Sequence, residues 1–261
     1  MQEKQEAKER MKKVIAGFVL LLMVGVSWSA EEIVVKTAYE DVEPKFIKHG
    51  NGEFGGLCIE LMDLISRDTG IKFSAKNDFV PKKRYLRSLE QGEVDVLFGL
   101  KKDAEREKWL VFGEPMYEVR YIGLVNKDDD INVQSIDDIV ALGNKNIVLT
   151  IFGAASADYL KSLKLNVDDG AKDVEAGIGK LQAKRGRLFV YQDLSTLYKL
   201  KKSKYKNSVR VIDLNMKGYD HYVVYSKMLA PGLIKKINAS IVKLKKNGEW
   251  DKVTRKYLHP T

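Results

Sequence analysis

Apolar residues along this chain fall into short runs split by glycine and polar turns, alternating strand-length with helix-length segments. Ile33–Lys36 predicts a first strand, followed by a loop through Pro44 and Phe46 and a tight-turn signal at Asn51-Gly52. Gly56–Thr69 places Leu57, Leu61, Leu64 and Ile65 on one helical face, and Gly70 stops the helix. Ile71–Ser74 predicts a second strand. Pro81–Leu89 predicts a helix opening on proline, which suits a first turn. After a glycine turn, the apolar run Val94–Leu100, interrupted only at Asp95, predicts a buried third strand. Asp103 then stands as N-cap of a helical turn over Ala104–Trp109. Strand, helix, strand, helix, strand argues a parallel sheet with right-handed crossovers, hence an α/β fold.

Asn126–Asp130 is polar and irregular, a natural boundary. Beyond it, Ser135–Ile139 opens a short helix, and the strand Ile147–Ile151 runs into Phe152-Gly153-Ala154-Ala155-Ser156. Val174–Arg187 repeats the helix-then-glycine pattern and leads into the strand Leu188–Tyr191. Asp193 sits where it would cap a helix over Leu194–Leu200. His221–Ser226 reads as a strand, and Pro231–Lys246 and Glu249–Tyr257 as amphipathic helices broken at Asn247-Gly248. The segment L-E-Q-G-E-V-D-V-L-F is echoed by L-Q-A-K-R-G-R-L-F-V, a hint of two similar lobes.

With 261 residues, 44% hydrophobic and 31% charged, the chain suffices for one large or two small domains. Lys12 and Lys13 precede the apolar run Val14–Val26, and Ser27-Trp28-Ser29 supplies small residues for a cut after Ser29. Residues 1–29 therefore read as a cleaved signal peptide, too short in its apolar core to span a membrane, and the protein is expected in the periplasm. The hydrophilic first ten residues leave Met1 and Met11 open as starts. Removing residues 1–29 leaves 40 basic against 33 acidic side chains. The densest basic cluster, Lys199–Lys206, lacks aromatic interleaving and reads as a solvated face, so no nucleic-acid partner is expected. Cys58, alone and in apolar surroundings, reads as a buried thiol. His49, His221 and His259 are scattered, so neither a metal site nor a cofactor is expected.

Arg106 falls in a first helical turn just after a strand, beside unpaired backbone N–H groups. That setting suits a carboxylate, although Glu105 and Glu107 leave a merely solvated arginine open. Gly50–Gly55 spells G-x-G-x-x-G, but about ten residues and a proline part it from the strand, which excludes the dinucleotide turn.

Taken together, L-x-x-G-x-x-D at Leu89–Asp95, Arg106, the F-G-E-P-M-Y stretch, G-R preceding Asp193, and the closing I-N-A-S-I-V-K-L-K-K-N-G-E-W resemble the periplasmic solute-binding proteins of the polar amino-acid ABC transporter type. The resemblance covers roughly residues 32–258. It implies a two-lobed (type II) periplasmic-binding-protein fold with a ligand cleft between lobes. The first lobe would comprise residues 30–125 and 221–261 and the second residues 126–220, hinged near Leu124–Lys127 and Gly218–Tyr222. Arg106 would then clamp a carboxylate near Gly99, while the Gly153-Ala154-Ala155 turn offers backbone N–H groups and Asp193 receives an ammonium. Tyr39 or Phe79 would wall the ligand's apolar part, with Lys101 and Arg84 adding positive charge. Lys101, Asp103 and Ala154 depart from the hydroxyl residues of the family pattern. The implied function is capture of an amino acid or related carboxylate for a membrane permease by a monomeric, non-enzymatic protein. Two alternatives share the fold: a dehydratase acting on prephenate-like acids, for which Glu40, Glu60 and Glu118 are candidate acids, and a ligand-sensing module.

Overall fold

In the computed structural model, which describes residues 32–143 and 146–258, the chain builds one lobe, crosses to a second and returns. The signal-peptide reading of residues 1–29 lies outside the described residues, as does His259. The first lobe runs β1 (Val34–Lys36), β2 (Ile47–Lys48), β3 (Phe54–Gly55), α1 (Leu57–Thr69), β4 (Lys72–Ser74), α2 (Lys82–Glu90), β5 (Val96–Lys101), α3 (Ala104–Glu107) and β6 (Leu110–Val119). The second runs β7 (Tyr121–Asn126), α4 (Ile136–Ala141), β8 (Val148–Ile151), α5 (Ala155–Ser162), β9 (Val167–Ala171), α6 (Val174–Gln182), β10 (Leu188–Gln192), α7 (Asp193–Lys202) and β11 (Val209–Asp213). The return is β12 (Tyr219–Ser226), α8 (Pro231–Lys246) and α9 (Glu249–Leu258).

β1 and β4 pair parallel, and the Asp95 N–H donates to the Lys36 carbonyl at 2.8 Å, which places the start of β5 beside β1. The parallel expectation stops there. β5 pairs antiparallel with β12, which pairs antiparallel with β6, because the last strand returns from the other lobe and fills the centre. The second lobe is a mixed sheet ordered β11-β7-β10-β8-β9. β9 and β11 carry few clean alternations, and neither was evident from the pattern.

The crossings differ from expectation. Tyr121–Asn126 pairs with β10 on one side and β11 on the other, so those residues belong to the second sheet. The chain changes lobe at Arg120 instead of after residue 125. On return, Leu214 packs in the second-lobe core and Tyr219 pairs with Val119 of the first sheet. The second crossing is therefore 214–218, ahead of residue 221.

Each lobe has its own apolar core. Leu57, Leu61, Ile65, Val96, Phe98, Ile237, Ile241 and Trp250 lie at its centre in the first, where α1, α8 and α9 cover one sheet face. The Trp250 indole is 1% exposed and donates Nε1–H to the Met116 carbonyl at 2.8 Å, so the C-terminal helix both buries area and satisfies β6. Burying such a side chain contributes on the order of 2–3 kcal/mol. Leu194 of α7 joins the first-lobe core even though its helix follows a second-lobe strand. That contact ties a second-lobe helix to the first-lobe core.

Candidate ligand-binding site

β5 brings the first-lobe wall into position. It ends at Lys101, and Asp103 then caps α3, its Oδ1 accepting the Arg106 N–H at 2.9 Å. The same carboxylate reaches the Arg106 side chain, Oδ2 to Nε at 3.2 Å, and Arg106 Nη1 donates to the Lys101 carbonyl at 2.8 Å. The side chain is 17% exposed and lines a cavity of about 520 Å³ between the lobes. Three of the five guanidinium N–H donors are left for another partner. Asp103 thus caps the turn and also fixes the guanidinium.

Behind Arg106 lies a buried charge cluster that the pattern of the chain did not reveal. Glu40, 1% exposed, takes the Lys45 ammonium on Oε1 and the Lys82 ammonium on Oε2, the latter at 2.6 Å. Burial alone would raise its pKa, but Lys45 and Lys82 outweigh burial and hold the carboxyl at about 2. Lys45 also donates to the Gly99 carbonyl at 3.2 Å. Gly99 is required there. Its φ is 79°, and a Cβ would sit 2.6 Å from the Tyr117 hydroxyl and 3.0 Å from the Lys45 stem.

His221 is buried beside this cluster, its Nδ1 3.3 Å from the Tyr117 hydroxyl. Burial, then the neighbouring Lys45 and Lys82, push its pKa well below the ordinary histidine value, so the ring is neutral. Lys101 Nζ lies 4.4 Å from the Tyr219 ring centre and 5.5 Å from that of Tyr121. Partial burial and then Arg106 lower its pKa.

The second lobe supplies the facing wall. Gly153, with φ 65°, turns the chain from β8 into α5, whose N-cap Ala154 offers no side-chain acceptor. The Ala154 N–H donates to the Ile151 carbonyl at 3.2 Å and the Ala157 N–H to the Ala154 carbonyl at 2.9 Å, which leaves the Ala155 and Ser156 N–H groups at the start of the helix for another partner. Ser156 Oγ is already engaged with Thr150 Oγ1 at 2.7 Å. Tyr191, Phe152 and Gln192 complete this side, and Gln192 Oε1 is buried without a hydrogen-bond partner.

Among the residues expected at the site, Gly99, Lys101, Arg106, Gly153, Ala154 and Ala155 line the cavity together. Asp193 does not. Its Oδ1 accepts the Arg120 N–H at 3.3 Å and the Leu194 N–H at 2.7 Å, and its own N–H donates to the Arg120 carbonyl at 2.8 Å. It fastens the crossing at Arg120, as the first residue of α7 instead of its cap. Tyr39 and Phe79 also stand apart. They bridge each other and pack on Phe46 and Phe54, while the aromatic wall consists of Tyr121, Tyr191, Tyr219 and Phe152. Arg84 is exposed on α2 and lines a separate crevice near Thr37 and Ser88. Glu40 and His221 were visible as residue types, but nothing local marked either as facing a cleft; Lys45, between Pro44 and Phe46, carried no signal at all.

The model of the bacterial extracellular solute-binding proteins, family 3, matches residues 33–260. The chain belongs to this family. Solved structures of family-like proteins superpose on it closely. A mutant of ArgBP from T. maritima gives a TM-score of 0.71 at 19% identity over 86% of this chain and 94% of that one. The substrate-binding protein of an amino acid ABC transporter gives 0.67 at 25% identity over 86% and 98%. The ancestral amino acid-binding protein AncCDT-1, a precursor of cyclohexadienyl dehydratase, gives 0.73 at 20% identity over 86% and 95%. No curated protein sequence matches. The two-lobed fold and the family are therefore settled.

Proposed function

We propose that this protein captures a small carboxylate-bearing solute, an amino acid or a related acid, between its lobes and delivers it to the permease of an ABC importer. The carrying observation is Arg106, anchored at two points by Asp103 and at a third by the Lys101 carbonyl, with three donors left over in the interlobe cavity. A planar guanidinium held this way matches a carboxylate bidentately, and the N-terminus of α5 across the cavity favours the same charge. Closure of the lobes about the crossings at Arg120 and 214–218 would bring the walls together on the ligand. The N-terminal apolar run of residues 14–26, preceded by Lys12 and Lys13, supports export to the periplasm.

A binding role is favoured over a dehydratase. Glu40, the candidate acid that lines the cavity, is held ionised at about 2 by two lysines and has no proton to donate near neutrality. Glu60 is engaged by Lys256 and Tyr257 away from the cleft. The test is mass spectrometry of whatever co-purifies, followed by calorimetric titration of that compound. Arg106→Ala should weaken binding by roughly 2–5 kcal/mol, and Arg106→Lys should also weaken it, because one ammonium cannot reproduce the two-donor fork. Unchanged affinity in Arg106→Ala, or turnover of the compound, would overturn the reading.

A further inference from the structure

The cleft carries a cation, Lys101, that no carboxylate among the described residues pairs with. On the first-lobe wall, Lys45, Lys82, Lys101 and Arg106 face only Glu40 and Asp103 as carboxylate partners. With Asp41 on the same wall counted, four cations against three carboxylates leave a surplus of one positive charge in one partly desolvated place. These groups feel one another: Arg106 acts electrostatically on both Lys82 and Lys101, and Lys45 and Lys82 act on His221. Lys101 is the exposed side of the imbalance. Among the described residues no carboxylate lies within ion-pair distance of its ammonium, which rests on the faces of Tyr219 and Tyr121. Ring faces stabilise a cation only modestly, and Arg106 repels it more than Asp103 attracts it.

The remaining acids of the cavity do not correct this. Asp173 spends Oδ1 on capping α6, accepting the Ala176 N–H at 2.7 Å, and has Lys172 beside it on the wall. Asp41 is exposed. Asp193, the residue that would have received an ammonium, is committed to the crossing.

We infer that the ligand is a small molecule with two acidic groups, one held by Arg106 and the α5 turn and a second neutralising Lys101. The inference rests on the proposed solute-binding reading of the same cleft and narrows its ligand class. The aromatic faces of Tyr121 and Tyr219 then act as a greasy support that keeps the Lys101 ammonium in place until the second acid arrives. The cavity of about 520 Å³ suits a molecule of this size rather than a peptide. Either a dicarboxylate or an acidic amino acid carries two acidic groups; the amino acid adds an ammonium, which makes it a net monoanion.

The test compares isosteric pairs on the unliganded full-length mature protein by calorimetry: L-glutamate against L-glutamine, and succinate against succinamate. Each two-acid compound is expected to bind at least about tenfold tighter than its monoamide, because the amide leaves Lys101 unneutralised. Lys101→Met should narrow that ratio toward one, with thermal melts showing that the variant folds. A preference for succinate over L-aspartate would identify the dicarboxylate source, and the reverse the acidic amino acid. Equal binding of acid and monoamide, or a ratio unmoved by Lys101→Met, would overturn the two-acid ligand while monocarboxylate binding that depends on Arg106 leaves the solute-binding reading standing. Failure of every carboxylate to bind would overturn both.

Discussion

Asp103 holds Arg106 twice, accepting its backbone N–H at 2.9 Å on one oxygen and facing its Nε at 3.2 Å with the other. A single carboxylate thereby starts the helical turn and aims the guanidinium. Asp103→Ala should cost about 1 kcal/mol of stability through the lost cap. Ligand affinity should fall as well, because a freed arginine has more rotamers to lose on binding. Asp103→Asn, an acceptable cap, should preserve the melt while still weakening binding. Titration and melting of both variants separate the roles; an unweakened Asp103→Asn would show that Arg106 needs no such support.

Glu40 and Lys45 form an ion pair sealed from solvent, and breaking one side leaves the other charged and buried. Glu40→Gln or Lys45→Met should each destabilise by roughly 3–5 kcal/mol, and the double variant by less than their sum. Lys82, about a third exposed at 35%, matters less, and Lys82→Ala should cost about 1 kcal/mol or less. Urea denaturation of the four proteins measures this. Additive losses would mean the pair does not act as a unit.

His221 predicts a pH dependence of stability. Its folded pKa is lowered by burial and then by Lys45 and Lys82, with Arg106 adding and Glu40 opposing. The unfolded chain binds the proton near its ordinary value of about 6.5, so the stability is complete above that and declines as the pH falls, by up to about 1.4 kcal/mol per unit. Glu40 acts in a lower window, between its ordinary range and about 2. His221→Asn should flatten the stability profile between about pH 6.5 and 5. An unchanged slope there would assign the acid sensitivity to other groups.

Asp193 ties the crossing through Arg120, and its carboxylate accepts two backbone N–H groups. Asp193→Ala should therefore cost about 1–2 kcal/mol of stability, and it should lower affinity equally for ligands with and without an ammonium. A loss confined to ammonium-bearing ligands would place Asp193 at the ligand after all.

Lys199 of α7 and Glu43 of the first lobe pair at 2.8 Å, both partly exposed. Lys199→Glu should lower ligand affinity by no more than about fivefold, and high salt should remove the effect. Salt-independent loss would point to packing instead of charge.

The periodicity of the chain determined most of its elements, because burial of an apolar face requires a matching repeat in the sequence. The Leu57–Ile65 stripe became the buried face of α1, and the Asp103–Arg106 spacing became a capped turn at the end of β5. Family motifs likewise depend on local order, and the match over residues 33–260 followed from it. Tertiary structure alone decided the rest. Whether Tyr121–Asn126 belongs to the first or second sheet depends on partners about 65 to 90 residues away in β10 and β11. The pairing of Glu40 with Lys45 and Lys82 runs against the rule that charges stay outside, so no local pattern announces it. Asp193 and Lys101 show the same division. Each has a residue type that fits a ligand, but only the fold spends one on the backbone at Arg120 and leaves the other facing the cavity without a carboxylate.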